Sequence, residues 1–185
     1  MQQNSFYTAA ELSEIGFRSF GAEVYISRFA RFYAPNLMEI GNHVRIDDFC
    51  ILSGPIKLGS YIHISAYCAL YGKLEIEMED YTGLSPRCTI FSASDDFSGD
   101  YLVGPMISEE LTNVTGGKVI IRKYSQIGAG SIILPNVIIE EGVAVGAMSL
   151  VNKNTEPWKI YAGIPIKYLK ERKKELVNKV KLLKL

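Results

Sequence analysis

The sequence of 185 residues has few of the residue types that mark several large classes of protein. It has three cysteines, two histidines and no C-x-x-C pair, which argues against a disulfide framework or a zinc site. Lys plus Arg and Asp plus Glu both number 20, so no excess charge indicates a nucleic-acid-binding protein. No apolar run approaches the ~18 residues of a membrane span, and residues 1–5 lack the features of a signal peptide. We therefore expect a cytoplasmic protein without an integral membrane segment.

What the sequence does contain is a repeat of six residues. Every sixth residue is aliphatic in two stretches, and the twelve members are Ile40, Ile46, Leu52, Leu58, Ile64 and Leu70, then Ile121, Ile127, Ile133, Ile139, Val145 and Val151. A period of six fits neither an amphipathic helix nor a hairpin strand. It predicts a triangular coil in which three hexads close one turn and the lead aliphatic residues point inward.

A second column of small or apolar residues lies four positions after the first. Its members are Val44, Cys50, Ile56, Ile62, Cys68 and Leu74, then Ser125, Ser131, Val137, Val143, Ser149 and Thr155. Cys88 falls on the same column, so we interpret all three cysteines as small buried hydrophobic residues. The step from Leu70 to Met78 is eight residues, which predicts two extra residues bulging at a corner.

The chain is predicted to form one domain in three parts. Residues 1–21 form an N-terminal helical segment, because Thr8 and Glu11 make a capping box ahead of Leu12. Residues 22–156 form the coil, with a long inserted loop over residues 91–119 that is unusual enough to suggest a function. Residues 157–185 form a C-terminal segment with a basic amphipathic helix from Lys167 onward, which we expect to cap the coil.

Two elements carry a resemblance to a known family, a closing run in three parts and a long inserted loop. The runs Ile127-Gly128-Ala129-Gly130-Ser131, 145–153 and Tyr161-Ala162-Gly163-Ile164-Pro165 resemble the hexapeptide-repeat acyltransferases, galactoside and maltose acetyltransferase-like group, as does the loop after Leu84-Ser85-Pro86. Residues 1–50, with the run 46–50, and the loop 94–99 look like sugar O-acetyltransferases of surface-polysaccharide clusters. The resemblance implies an all-β, left-handed parallel β-helix and a homotrimer with active sites between subunits. It also implies acetyl-CoA as co-substrate and no metal.

The resemblance also assigns residues to coenzyme A. Backbone groups of the last coils would bind the pantetheine arm, and the carried-over residues are Gly128, Ala129, Gly146 and Ala147. The nucleotide end of coenzyme A would lie near Asn152, Lys153, Lys167 and Lys170. Lysine ammonium groups are suited to phosphates.

The acyl transfer needs a base, and histidine is the usual one because its pKa lies near working pH. The galactoside-type enzymes have a histidine in the long loop, but by spacing that position falls at about Asp95 here. His63 lies between two inward residues and should project from a flat face. We hypothesise that His63 is the general base and that Asp95 or Asp96 orients its ring. A catalytic aspartate acting alone, or no base at this position, are the alternatives.

Further residues are candidates for binding the acceptor. Ser65 matches a substrate-binding asparagine of the galactoside-type enzymes, and Tyr67, Asp47 and Asp48 lie nearby, although they could equally be solvated corner residues. The acidic loop suits hydroxyl-rich ligands, because carboxylates accept hydrogen bonds from hydroxyl groups. Arg45 and Arg87 are the nearby cations that could reach a phosphate.

The sequence therefore predicts an acetyl-CoA-dependent acetyltransferase acting on a sugar hydroxyl, in polysaccharide or O-antigen biosynthesis. One alternative is N-acetylation of an amino sugar attached to a nucleotide. Another is a non-catalytic β-helical binding or scaffold protein. A γ-type carbonic anhydrase is disfavoured, because it requires three histidine ligands and the chain has two.

Overall fold

Three parallel β-sheets form the faces of a triangular solenoid in the computed structural model, which describes residues 5–183. The first four residues of the predicted N-terminal segment and the last two of the predicted C-terminal segment lie outside the described residues. Six coils each contribute one short strand to each face, a seventh contributes to one face only, and neighbouring coils pair in parallel. The triangular coil that the hexads predict, and the all-β, left-handed parallel β-helix that the resemblance implies, are confirmed.

The strands are grouped here by face. Face 1 contains β1 (Ser19–Phe20), β4 (Met38–Ile40), β7 (Ile56–Leu58), β10 (Ile76–Met78), β15 (Val119–Ile121) and β18 (Ile138–Ile139). Face 2 contains β2 (Tyr25–Ile26), β5 (Val44–Ile46), β8 (Ile62–Ile64), β11 (Gly83–Leu84), β16 (Gln126–Ile127), β19 (Ala144–Val145), β21 (Lys159–Ala162) and β22 (Lys167–Glu171). Face 3 contains β3 (Arg31–Tyr33), β6 (Ile51–Ser53), β9 (Ala69–Tyr71), β12 (Thr89–Phe91), β17 (Ile132–Ile133) and β20 (Leu150–Val151). The coils are numbered one to seven by their face-2 strands, from β2 to β21.

The core consists of the two predicted columns. All twelve lead aliphatic residues are buried, and so are the second-column residues apart from Leu74, which is 41% exposed. The prediction for Leu74 was wrong because the two extra residues bulge at the corner between β9 and β10. The bulge carries Leu74 outward, and Ile76 fills the core position instead. Cys50, Cys68 and Cys88 are buried in the core.

The N-terminal helix α1 (Ala9–Ile15) begins with the predicted capping box. The Thr8 hydroxyl accepts the N–H of Glu11 at 3.3 Å, and a Glu11 carboxylate oxygen accepts the N–H of Thr8 at 2.8 Å. Glu11 also forms a two-bond ion pair with Arg28, both distances being 2.7 Å. The helix is thereby attached to the first coil.

The C-terminal segment differs from the prediction. Residues 167–171 form β22, antiparallel to β21, and only Glu175–Val180 forms a helix, α2. A helix from Lys167 was the wrong prediction because the exposed edge of β21 offers backbone hydrogen-bond partners to the returning chain. Pairing at that edge outweighs the local helix propensity. No helix in the described part of the chain is long and apolar enough to cross a membrane.

The inserted loop leaves the solenoid after face 3 of coil four. Its base is a two-stranded antiparallel hairpin of β13 (Ala93–Asp95) and β14 (Val114–Gly116). A 3₁₀ turn, Glu109–Leu111, lies within the loop, and another, Pro35–Leu37, lies in the first coil. The hairpin gives the loop a fixed starting direction at the edge of face 3.

Candidate active site

A row of positions between the inward columns runs along face 2 from coil two to coil four. Arg45, His63 and Gly83 are direct neighbours in the parallel register. Arg45 and His63 point to solvent because they lie between inward residues of three-residue strands. The prediction that His63 projects from a flat face is therefore confirmed.

His63 is bonded to Asp47 within the chain. The His63 Nε2 atom lies 2.7 Å from one Asp47 carboxylate oxygen, and Arg45 Nε donates to the other at 2.7 Å. Burial on its own would raise the pKa of Asp47, but the bonds from His63 and Arg45 outweigh it and hold that pKa below its ordinary value. The three side chains form one fixed cluster, in which Asp47 rather than a loop aspartate contacts the histidine.

The other predicted acceptor-binding residues lie near the corner between faces 2 and 3. Asp48 accepts a hydrogen bond from the Ser27 hydroxyl, and the carbonyl of Ser65 accepts one from the Cys50 thiol at 3.1 Å. Tyr67 stacks on Phe49, with the ring centroids 5.0 Å apart. These side chains belong to the same surface as His63, and their part in substrate binding stays a prediction.

The two loop aspartates have different surroundings. Asp96 accepts the N–H of Ser98 at 2.6 Å and the amide of Asn113 at 2.9 Å. The bonds from Ser98 and then from Asn113 hold the pKa of Asp96 below its ordinary value. Asp96 is thus occupied in holding the loop together. Asp95, at the end of β13, faces a cleft instead.

The cleft, of about 800 Å³, lies between the hairpin and face 3. Tyr71 and Phe91 stack along one wall with ring centroids 5.3 Å apart. Asp95, Ser94 and Lys73 supply polar groups to the same cleft. An apolar cleft with few polar groups is typical of a small-molecule site.

Ser85 lies directly after β11, two positions from Gly83 and hence at the coil-four end of the face-2 row. Its backbone is bonded on both sides, to the carbonyl of Ile127 and to the thiol of Cys68. Its hydroxyl has no hydrogen-bond partner within residues 5–183. The sequence pattern alone indicates no role for Ser85.

The residues predicted to bind the pantetheine arm follow β16 and β19. A Cβ atom on Gly128 would lie 2.5 Å from the backbone nitrogen of Ala147, so glycine is required for the coils to stack. In the described part of the chain the N–H groups of Ala129 and Ala147 have no acceptor. These two donors are suited to the amide carbonyls of an extended arm, which supports the prediction.

The residues predicted near the nucleotide of coenzyme A are exposed at the C-terminal end. Asn152 and Lys153 follow β20, while Lys167 and Lys170 lie on β22. Trp158 lies against Tyr124 and below the ammonium group of Lys174. Across residues 5–183 no three His, Cys, Asp or Glu side chains are grouped to hold a metal ion.

Comparison with known proteins finds relatives along nearly the whole chain. The chain is 42% identical over 171 residues to the dTDP-4-amino-4,6-dideoxy-D-glucose acyltransferase of Escherichia coli, covering 91% of this chain and 89% of that protein. It is 52% identical to AntD, an N-acyltransferase from Bacillus cereus whose crystal structure contains dTDP and 3-hydroxybutyryl-CoA. The TM-score is 0.94, with 98% of each chain covered.

AntD has also been crystallised with single substitutions at a serine and at an aspartate ten positions further on, with dTDP and coenzyme A bound. A maltose O-acetyltransferase from Clostridium difficile superposes with a TM-score of 0.62 over 89% of this chain and 75% of that chain. At 20% identity this shows a likeness of fold alone. No family model matches the sequence.

Proposed function

Because the chain belongs to the hexapeptide-repeat acyltransferases of the left-handed β-helix class, we propose that it transfers an acyl group from coenzyme A to the amino nitrogen of a nucleotide-linked sugar. The sequence alone favours a sugar hydroxyl as the acceptor, with this amine as the alternative. The full-length similarity to AntD, an N-acyltransferase with dTDP and an acyl-CoA bound, carries the proposal for the amine. The Escherichia coli relative, named for a dTDP-linked amino sugar, supports it.

The reaction is a direct exchange of one acyl bond for another. The nitrogen lone pair attacks the thioester carbonyl carbon, the new C–N bond forms, and the C–S bond breaks. The amine loses a proton, and the coenzyme A thiolate takes one. The enzyme must therefore align the two substrates, accept the proton and stabilise the oxyanion.

Asp95 and Ser85 are the reacting-centre residues that we propose to test first. They are ten positions apart in this chain, as are the aspartate and serine substituted in AntD. Asp95 is free of the loop bonds that occupy Asp96, and it could accept the amine proton. Ser85 has an uncommitted hydroxyl that could donate to the thioester carbonyl. His63, predicted from the sequence as the base, remains the alternative and has Asp47 as its orienting carboxylate.

We place this site between subunits of a homotrimer. Face 1 is covered by ion pairs such as Arg18–Glu39 and Lys118–Glu77, which suit a solvated surface. The corner between faces 2 and 3 instead exposes Phe49, Tyr67 and Met148. Exposed apolar rows of this kind mark interaction surfaces.

With that corner at a threefold axis, face 2 of one subunit meets face 3 and the hairpin of the next. His63 and Ser85 would then approach a neighbouring subunit's Asp95. Light scattering on the purified protein should give the mass of three chains, and a Tyr67→Asp variant should dissociate. A wild-type protein that remains monomeric while turning over substrate would contradict the arrangement.

The choice between amine and hydroxyl is tested by a matched pair of acceptors. We would measure thiol release from acetyl-CoA with dTDP-4-amino-4,6-dideoxy-D-glucose and with the same nucleotide sugar carrying a hydroxyl at carbon 4. The proposal expects turnover with the amine at least about 100-fold faster in kcat/KM. Equal kcat/KM values for the two acceptors, or a higher value for the hydroxyl acceptor, would instead support the O-acetyltransferase function that the sequence favours. Repeating the assay with 3-hydroxybutyryl-CoA would test the prediction that the acyl group is acetyl.

The proton acceptor is tested by two variants and a control. Asp95→Asn should lower kcat at least about 100-fold if Asp95 is the base, while His63→Gln should keep most of kcat. Asp100→Asn, at an exposed aspartate of the same loop, is the matched control. A large loss in His63→Gln with near-normal turnover in Asp95→Asn would reverse the assignment.

A place in polysaccharide biosynthesis and a cytoplasmic location stay predictions.

A further inference from the structure

We infer that Arg45 binds the diphosphate of the sugar nucleotide, an inference that rests on the proposed function and names a subsite within it. Face 2 carries Arg45 on coil two, one coil before His63 and two before Gly83. Its side chain is 56% exposed, so the charge lies on the surface that a neighbouring subunit's loop would cover. Nothing in the acyl-transfer chemistry itself uses this guanidinium.

The guanidinium is held in one orientation before any ligand binds. Its Nε donates to Asp47 at 2.7 Å, and Asp47 is in turn fixed by His63. The ring of Phe6 lies below it, 5.3 Å from the central guanidinium carbon. The carboxylate on one edge and the aromatic ring on one face already restrict the rotation of the side chain. The entropy that a surface arginine usually loses on binding a ligand is therefore smaller here.

The rest of the guanidinium is uncommitted. Within residues 5–183 neither terminal NH₂ group of Arg45 has an acceptor. Both oxygens of Asp47 are engaged, one by Arg45 and one by His63. The carboxylate therefore acts as an internal partner, and the outward fork of N–H groups is suited to two phosphate oxygens.

The position along the solenoid fits the length of the acceptor. The donor thioester would arrive from coils five and six, where Ala129 and Ala147 present free N–H groups. The reacting nitrogen would lie near Ser85 at coil four. The diphosphate must then lie on the opposite, N-terminal side. Two strand spacings of ~4.8 Å separate Arg45 from Gly83, about 10 Å in all, which a pyranose ring and its glycosyl phosphate can span.

Other arginines near the first coils are less suited to this role. Arg28 is engaged by both carboxylate oxygens of Glu11. Arg18 lies on face 1 and is paired with Glu39 at 3.3 Å. Arg18 has the same 56% exposure as Arg45, which makes it a matched control on a face that no active-site cleft includes.

The test is calorimetric titration of the full-length protein with dTDP, thymidine and coenzyme A in separate experiments. The variants are Arg45→Ala, Arg45→Lys and Asp47→Asn, with Arg18→Ala as control. Loss of a two-bond contact to phosphate should weaken dTDP binding about 10- to 100-fold in Arg45→Ala. Thymidine and coenzyme A should bind as in the wild type. Asp47→Asn, which loosens the guanidinium, should weaken dTDP binding to a smaller extent and leave coenzyme A unaffected.

Each outcome separates this inference from the function on which it rests. A wild-type protein that binds coenzyme A but not dTDP would contradict the proposed acceptor class and the inference together. Normal dTDP binding by Arg45→Ala would overturn the inference and leave the proposed function standing. If Arg45→Ala lost coenzyme A binding as well, Arg45→Lys would decide. In that case the inference requires Arg45→Lys to bind dTDP more weakly than the wild type does while it still binds coenzyme A. Wild-type dTDP affinity in Arg45→Lys would overturn the inference.

Discussion

Arg172 fastens the C-terminal strap, defined as residues 167–174, to the last coils. One terminal nitrogen, Nη1, donates to the carbonyls of Tyr124, Gly142 and Val143 at 2.7, 3.0 and 3.2 Å. The guanidinium has no carboxylate partner among residues 5–183, and burial lowers its pKa. The positions of Lys167 and Lys170, beside the predicted coenzyme A site, depend on this attachment together with the pairing of β22 with β21. Replacing Arg172 with Ala should therefore loosen the strap.

The free energy lost in Arg172→Ala follows from the number of backbone carbonyls that lose their hydrogen-bond donor. Val143 also accepts the N–H of Gln126, so only Tyr124 and Gly142 are left without a hydrogen bond from the described residues. Two bonds to a charged donor, taken at about 1.5 kcal/mol each because the site is half exposed, give about 3 kcal/mol. A change of this size raises the ratio of open to closed strap about 100-fold.

Trp158 reports the change directly, because it is the chain's single tryptophan. It is 8% exposed, its carbonyl accepts the N–H of Arg172, and the ammonium group of Lys174 lies 5.3 Å from its ring. Arg172→Ala should shift its fluorescence to longer wavelength and make it more accessible to a quencher. Lys173→Ala, at the exposed neighbouring position, is the control. Unchanged emission together with an unchanged urea midpoint would refute this account of the strap.

Three further predictions concern the core, the coil stacking and the N-terminal helix. Ile127→Ala, at a fully buried position, should lower the free energy of unfolding by about 3 kcal/mol in urea titration, and a loss below about 1 kcal/mol would contradict the inward column. Gly128→Ala should force Ala147 away and weaken coenzyme A binding in calorimetry, so unchanged affinity would count against the predicted binding of the pantetheine arm at these coils. Bonds from Arg28 and then Thr8 hold the pKa of Glu11 at about 2 instead of 4.5. Glu11→Gln should therefore be less stable at neutral pH, and the difference should disappear as pH falls from 4.5 towards 2. A stability difference between Glu11→Gln and the wild type that persists near pH 2 would contradict the lowered pKa of Glu11.

The sequence was sufficient for the fold because the six-residue period has a single structural interpretation. The inward columns are buried as predicted, and the resemblance to the hexapeptide-repeat acyltransferases is confirmed. Leu74 and the segment from Lys167 were predicted wrongly for physical reasons. Inserted residues shift the register of a corner, and the open edge of β21 recruits a strand where local propensity indicates a helix.

The site was predicted less completely than the fold. A turn of three hexads places residues 18 positions apart side by side, so Arg45 and His63 could have been paired, with Asp47 next to them. The loop aspartates were chosen instead because their position matches the family's histidine. In the proposed homotrimer, contact of Asp95 with Ser85 or His63 would depend on how neighbouring subunits pack. The repeat pattern of a single chain does not specify that packing.

The most direct test of the central claim is the structure of the product. The protein would be incubated with acetyl-CoA and dTDP-4-amino-4,6-dideoxy-D-glucose, and the nucleotide sugar would then be analysed by mass spectrometry and NMR. The account predicts one added acetyl group as an amide at the carbon-4 nitrogen, with one coenzyme A thiol released per molecule acylated. An ester at a ring hydroxyl, or thiol release without any change in the nucleotide sugar, would contradict it.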